Sequence, residues 1–505
     1  MSIADNPGVG DFEREFIAVT NPLTGKNIGQ IAVTTPQEVA DAAERARFAQ
    51  LTWGALTVKE RGILISRWRD LLWENQEEGI RLLRAETGKP DGGAFLEFMV
   101  VDNQIQYYLH NAAKILQPKT RATVFPMIQY GKVFYKAHGV VGIISPWNYP
   151  FLLPFIDMTP ALFAGNTILL KPSEVTPFIA DFAVKLMYEA GIPRDVVQIV
   201  QGDGSTGAAL VEEVDYIHFT GSTPVGRKVA TRAADRLIPF SLELGGKDPA
   251  IVVADADIDL SAAALLRGAF ENAGQVCMSV ERAYVEAPIY QHMIDRVLHH
   301  AKLLTVSAGD GMDVHMGSMT NEREIERTEQ HIADAVQKGA KVIHGGNRRP
   351  DLGPLFFEPT VLIDVDHSMD IMRDETFGPI LPIMKVSNMK EAVRLANDSN
   401  YGLAASIFTK NLKRGEALAQ QIDTGDVSIN RTQFVIGTPA MPSGGQRESG
   451  LGRRNGPEGL LKYVSSQSVL VDNGFGQTTD LSLADPTSLK LIHILRTIRK
   501  YVPFI

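Results

Sequence analysis

The chain holds one thiol, Cys277, in 505 residues. It sits in Gly274-Gln275-Val276-Cys277-Met278-Ser279, a run of mostly small residues after a helical stretch. A nucleophilic thiol needs a base or an electropositive setting to become thiolate. The commoner reading of a free cysteine is a buried, inert core residue. No histidine lies near it in sequence, so a carboxylate is the candidate base. Glu243, 34 residues upstream, stands between Leu242 and Leu244 and beside Gly245-Gly246. Burial there would raise its pKa toward the range useful for a general base. The competing reading is a strand-end glutamate paired with Lys247. Asn148, in Ser145-Pro146-Trp147-Asn148-Tyr149-Pro150, is an amide fixed in a proline-bounded loop. It could donate to a developing oxyanion, with the Cys277 N–H as second donor. Its competing reading is an Asx turn.

A second group of residues suits phosphate and ribose. Gly221-Ser222-Thr223-Pro224-Val225-Gly226 follows an apolar run and opens a helical pattern. A glycine-rich turn at a helix start offers N–H groups and a dipole end to phosphate. The pattern is not GxGxxG, so alone it also fits an ordinary strand-to-helix turn. Upstream, Lys171-Pro172-Ser173-Glu174 follows another buried run, and strand C-termini are where open α/β sheets bind ligands. A carboxylate at Glu174 can accept both ribose hydroxyls and would repel a 2′-phosphate. The competing reading of Lys171 and Glu174 is a solvated loop pair.

The elements that must hold these groups alternate between helix and strand. Pro36 to Gln50 and Lys59 to Asn75 carry helical spacing. Gly139–Ser145, Asn166–Leu170, Asp195–Val200, Tyr216–Thr220 and Pro249–Val253 read as short buried strands. Repeated strand–helix order predicts an α/β fold with parallel sheets. The stretch from Gly139 to Leu170 is the most apolar, with Asp157 its only charge, but four prolines divide it, so it reads as soluble core. Fifty basic against fifty-nine acidic residues give a net charge of −9, which argues against a nucleic-acid binder. One cysteine excludes an intrachain disulfide framework and a cysteine-based zinc site, and no metal site is expected. The N-terminus lacks the pattern of a secretory signal, and a cytoplasmic protein is expected.

Seven motifs in order together resemble the aldehyde dehydrogenase superfamily: PWNYP at 146–150, KPSE at 171–174, FTGSTPVG at 219–226, LELGGKDP at 242–249, GQVC at 274–277, ETFGP at 375–379 and GG…SGLGR at 444–453. The resemblance covers about Ile17 to Ser466 and is closest to the full-length, hydrolytic, NAD-dependent branch. It implies a Rossmann-like cofactor domain (1–118 and 139–246), an α/β catalytic domain (247–445), and a small β element (119–138 and 462–476) through which homodimers or homotetramers form. It also implies roles. Cys277 attacks the aldehyde, Asn148 and the Cys277 N–H hold the oxyanion, and Glu243 activates the water that hydrolyses the thioester. Lys171 and Glu174 would hold the adenine ribose, with Lys171 also helping set protonation. Gly221, Ser222, Ser173, Leu244 and Trp147 would contact the cofactor. Glu375 would bind the nicotinamide ribose, with Phe377 packing beside that ring. NAD is the expected cofactor, although some members with this glutamate accept NADP too. Glu243 favours hydrolysis over transfer to CoA, because CoA-acylating relatives lack it.

By the same resemblance Tyr149, Leu153 and Ile156 line one wall of the substrate channel, and Val276 and Met278 flank the nucleophile. These residues point to long apolar aldehydes, fatty or isoprenoid (apocarotenoid). The alternatives are a charged semialdehyde such as succinic semialdehyde, held by Arg431, and a catalytically silent family member. Where the family has proline–aromatic–Gly-Gly, this chain has Pro442-Ser443-Gly444-Gly445, which predicts a wider channel. Residues 477–505 form a tail ending in LKLIHILRTIRKYVPFI, whose Leu491, Ile494, Leu495, Ile498, Tyr501, Val502 and Ile505 share a helical face. Lys490, Arg496, Arg499 and Lys500 lie opposite, a pattern suited to an anionic membrane surface or to docking on protein.

Overall fold

A computed structural model describes residues 14–123, 128–433, 435–474 and 486–500. Two parallel sheets organise it. The first has six strands, ordered Gly450–Leu451, Phe240–Glu243, Tyr216–Thr220, Val140–Ile144, Thr167–Lys171 and Val197–Ile199; all pairings are parallel except that of the two-residue edge strand. The second has seven, ordered Lys341–His344, Thr360–Ile363, Ile380–Val386, Val280–Glu286, Asp248–Val252, Ala404–Phe408 and Asp426–Ile429, with only the first pairing antiparallel. The expected strands appear within one to two residues of their predicted bounds. They are buried along almost their whole length because helices cover both faces of a parallel sheet.

Local signals set the flanking helices. Pro36–Ala55 and Val58–Glu74 each start with a capping box, Thr35 with Glu38 and Thr57 with Glu60, which satisfies N–H groups the helix leaves open. Trp53 and Trp68 from these helices are fully buried against the first sheet's core. Leu152–Phe163, the apolar stretch after the proline-bounded loop, is a helix with every residue buried. Among the described residues, no helix is long and apolar enough to cross a membrane.

A third sheet of three antiparallel strands, Val464–Asp472, Gln129–Ala137 and Lys119–Arg121, comes from the two segments expected to mediate assembly. Its edge strand exposes Val469, Leu470 and Val471. The tail contains a helix, Pro486–Arg499. Ile494 and Ile498 of the expected apolar face are exposed, but so are Leu489 and Ile492 outside it, so exposed apolar surface is not confined to one face. The side chains of Leu491, Leu495 and Arg499, and residues 501–505, lie outside what is described.

Candidate active site

The site lies where the C-terminal ends of the first sheet meet the second, in a cleft of about 630 Å³. Strand ends supply Lys171 and Glu243, and a turn supplies Cys277. Of the expected residues, Trp147, Asn148, Leu153, Lys171, Ser173, Glu174, Gly221, Ser222, Glu243, Leu244, Cys277, Glu375 and Phe377 line this cleft together. Tyr149, Ile156, Val276 and Met278 do not line it; they are buried in the apolar cluster against which Cys277 packs. Arg431 lies exposed on the loop after strand Asp426–Ile429.

The thiol is presented by an unusual turn. Asn272, Ala273 and Gly274 all adopt positive φ, at 50°, 55° and 74°. At Gly274 a Cβ would fall 2.1 Å from the Gly378 carbonyl, so only glycine fits. Such strain clusters at functional sites. The turn is tied to the proline-bounded loop: Asn148 Nδ2 donates to the Gln275 carbonyl at 3.0 Å, and Asn272 Nδ2 donates to the Asn148 carbonyl at 3.1 Å. Asn148 is therefore anchored to the nucleophile's turn, not closed into an Asx turn. Burial pushes the Cys277 thiol up to about 12; Arg454 opposes this, while Glu375, Asp248 and Glu243 add to it.

Glu243 ends its strand and is pinned by the returning edge strand, where Gly450 pairs with it and Leu244 N–H donates to Ser449 O at 2.9 Å. Its side chain is buried, and its Oε1 has no hydrogen-bond partner. Burial raises its pKa to about 7, against the pull of Arg454 and Lys462. The pairing with Lys247 does not occur. Lys247 instead donates to Glu281 Oε2 at 2.6 Å, and Glu281 in turn accepts the N–H groups of Thr376 and Phe377. This buried pair fixes the segment carrying Glu375, whose Oε1 accepts Gly246 N–H at 3.1 Å. A Cβ on Gly246 would fall 2.4 Å from the Cys277 carbonyl oxygen and one on Gly245 2.3 Å from Glu375 Oε2, which explains the double glycine.

The cofactor half of the cleft fits a dinucleotide. Ser222 is the N-cap of helix Thr223–Asp235, yet its hydroxyl makes no capping bond, leaving it for a ligand at that helix N-terminus. Pro224 lies in the first turn, as expected. Lys171 Nζ donates to Pro172 O at 2.8 Å and to Glu174 Oε2 at 3.3 Å. Trp147 meets Phe377 edge-on, with ring centroids 5.5 Å apart. Lys228, Arg232, Arg323 and Arg327 also line the cleft and were not anticipated.

The sequence reading missed two buried ion networks. Asp157, noted only as a lone charge in an apolar run, accepts Arg454 Nε and Lys462 Nζ, both at 2.8 Å, and lies 2.9 Å from His218 Nε2. A single charge inside such a run was the available signal, because an unpaired buried carboxylate is too costly to persist. Lys89 pairs with Glu97 and donates to the Asn148 carbonyl at 2.9 Å, while Glu97 Oε2 accepts Phe151 and Leu152 N–H at the helix start. Nothing in the sequence marked that pair. Ser443, expected to widen the channel, is buried and donates to Asp426 Oδ2 at 2.5 Å.

Residues 10–469 match the model of the aldehyde dehydrogenase family. The chain belongs to that family. It is 42% identical over 483 residues to a putative succinate-semialdehyde dehydrogenase [NADP(+)] 2 of Mycobacterium ulcerans, covering 95% of this chain and 93% of the relative. It is 40% identical over 459 residues to a 4,4'-diapolycopene aldehyde oxidase of Methylomonas, covering 88% and 84%. Among solved structures it resembles a Mycobacterium tuberculosis aldehyde dehydrogenase complexed with NAD+, with a TM-score of 0.87, 35% identity, and 92% and 96% of the two chains covered. The protein is thus an oxidoreductase acting on aldehydes with a nicotinamide cofactor.

Proposed function

We propose that this dehydrogenase converts an aldehyde and water to the carboxylic acid through a covalent adduct on Cys277. The observation that carries this is a buried Glu243 carboxylate, its Oε1 without a hydrogen-bond partner, lining the same cleft as the thiol and Asn148. Cys277 adds to the carbonyl, and the second N–H of Asn148 and the Cys277 N–H receive the oxyanion. A nicotinamide held by these residues would supply the hydride acceptor. Glu243, with its pKa near 7, then takes a proton from water, whose oxygen attacks the thioester and releases the acid and the thiol. Glu375 and Phe377, held by the Lys247–Glu281 pair, and Ser173, Gly221, Ser222, Leu244 and Trp147 position the cofactor. Glu174 beside Lys171 favours NAD. Mycobacterial relatives named as NADP(+) enzymes support NADP instead, and the cleft-lining cations Lys228 and Arg232 would give that cofactor partners.

Two substrate readings remain. Relatives at 42% identity named for succinate semialdehyde support a charged semialdehyde. An uncharged aldehyde is supported by Leu153, which lines the cleft, and by the apolar cluster holding Tyr149, Val276 and Met278, against which Cys277 packs. Two of the arginines lining the cleft are already paired, Arg327 with Glu324 and Arg232 with Glu212. A panel of alkanals, apocarotenals and succinic semialdehyde, each with NAD and NADP, tests both; kcat/KM highest for succinic semialdehyde would overturn the apolar reading.

We further propose assembly as a dimer or tetramer through the exposed edge strand Val464–Asp472, and contact of the basic C-terminal helix with anionic lipid. Light scattering tests the first, and a monomer would refute it. Co-sedimentation with phosphatidylserine vesicles, with and without residues 486–505, tests the second, and unchanged binding would refute it.

A further inference from the structure

Glu271 opens the turn that ends at Cys277 and is partly exposed. Its Oε1 accepts the Tyr149 hydroxyl at 2.9 Å. Tyr149 follows the oxyanion donor Asn148 in sequence, and its hydroxyl is close enough to Cys277 for the thiol's charge to act on it. Tyr149 belongs to the apolar cluster against which Cys277 packs, so the Glu271 carboxyl stands behind the cleft wall, held on the far end of the Tyr149 side chain.

The charges facing it come from three elements. Lys89, before the helix Asp91–Leu116, places Nζ 4.1 Å from the centre of the Tyr149 ring. That ammonium is fully buried and already paired with Glu97 and with the Asn148 carbonyl. Lys89 and Glu97 cancel, so the buried charges behind this wall sum to one negative charge when Glu271 is ionised. Arg267, from the helix Ile258–Phe270, also acts on Glu271 but is exposed, where solvent screens it. Burial pushes the Glu271 carboxyl up, while the Tyr149 hydroxyl, Lys89 and Arg267 pull it down.

We propose that Glu271 sets the charge selectivity of the site, turning away aldehydes that carry a carboxylate and admitting uncharged ones. This rests on the aldehyde-oxidising function above and decides between its two substrate readings. A succinic semialdehyde bound at Cys277 has its carboxylate only three carbons from the carbonyl carbon, so it cannot escape the local field. At an effective dielectric constant of about 20, like charges roughly 10 Å apart are opposed by a factor of about ten.

The test is a two-by-two comparison. Succinic semialdehyde and its uncharged isostere 4-oxobutanamide are each given to the wild type and to Glu271→Gln, with kcat/KM as readout. The wild type is expected to prefer the amide about tenfold or more, and the variant to lose most of that preference. A merely structural role for Glu271 would lower both rates and leave their ratio alone. The wild-type preference is readable even if the variant does not fold. The unreactive analogues butanoate and butanamide, compared by Kd, test the selectivity without turnover. Equal or better use of succinic semialdehyde by the wild type, or a ratio unchanged in Glu271→Gln, would overturn the proposal. Failure of both aldehydes to reduce cofactor while butanamide still binds better than butanoate would defeat the reaction and leave the selectivity standing.

Discussion

Replacing Glu243 with glutamine should stabilise the protein while disabling it. The carboxyl is buried and lacks a hydrogen bond at Oε1, and its pKa rises from 4.5 to about 7 in the folded state. A folded pKa above the unfolded one means that the ionised form is the poorer fit to the fold. Its stability contribution is therefore intact below pH 4.5 and is lost as pH rises through about 7. A shift of about 2.5 units corresponds to about 3 kcal/mol. Glutamine keeps the shape without the charge. Urea unfolding of both proteins at pH 5 and pH 8.5 should show the advantage of Glu243→Gln widening by about 2 to 3 kcal/mol at the higher pH. The comparison cancels every other titrating group. A gap that is the same at both pH values, or that narrows as pH rises, would mean that Glu243 ionises as an ordinary carboxylate, and the argument that the fold tunes it as a base would be wrong.

Other expectations follow from the same contacts. A thiol reagent should label one site per subunit with activity falling in step, and Cys277→Ala should show neither labelling nor turnover. Asn148→Ala should cut kcat by roughly 10²–10³, the usual cost of losing one oxyanion donor, while Cys277 labelling persists. Arg454→Met removes the charge that opposes the upward shift of Glu243 and deprives buried Asp157 of a partner. The acid limb of its pH–rate profile should move to higher pH, and stability should fall by about 3–5 kcal/mol; an unmoved limb would contradict the electrostatic role. Glu174→Gln should raise kcat/KM for NADP relative to NAD, and an unchanged ratio would remove Glu174 from cofactor choice.

The pieces legible in the sequence were those written locally. Short apolar runs ending in glycine, proline or a polar residue announced the strands of both sheets, and Gly221 through Gly226 announced a helix start. Cys277, Glu243 and Asn148 stood out because each is a reactive type in a context that a core or solvent position does not explain. The supporting charges were illegible, because pairing across the fold leaves no local mark. Lys89 and Glu97 are eight residues apart on a helix start. Asp157 meets Arg454 across 297 residues. Lys247 looked like the partner of Glu243 because it is near in sequence, but it serves Glu281, 34 residues on, because that carboxylate must cap Thr376 and Phe377. The channel wall was only partly readable, since alternation of apolar residues along a loop does not say which of them face the cleft. Hence Leu153 reaches it while Ile156 is buried behind.

The covalent route through Cys277, released by Glu243, is tested most directly by a single turnover of Glu243→Gln. The variant is mixed with a neutral aldehyde and oxidised cofactor, reduced cofactor is followed by absorbance, and the quenched protein is digested for peptide mass. The account predicts a burst of at most one reduced cofactor per subunit, then a stall, with the acyl mass on the peptide carrying Cys277. Sustained turnover at the wild-type rate, or an unmodified Cys277 after the burst, would contradict it.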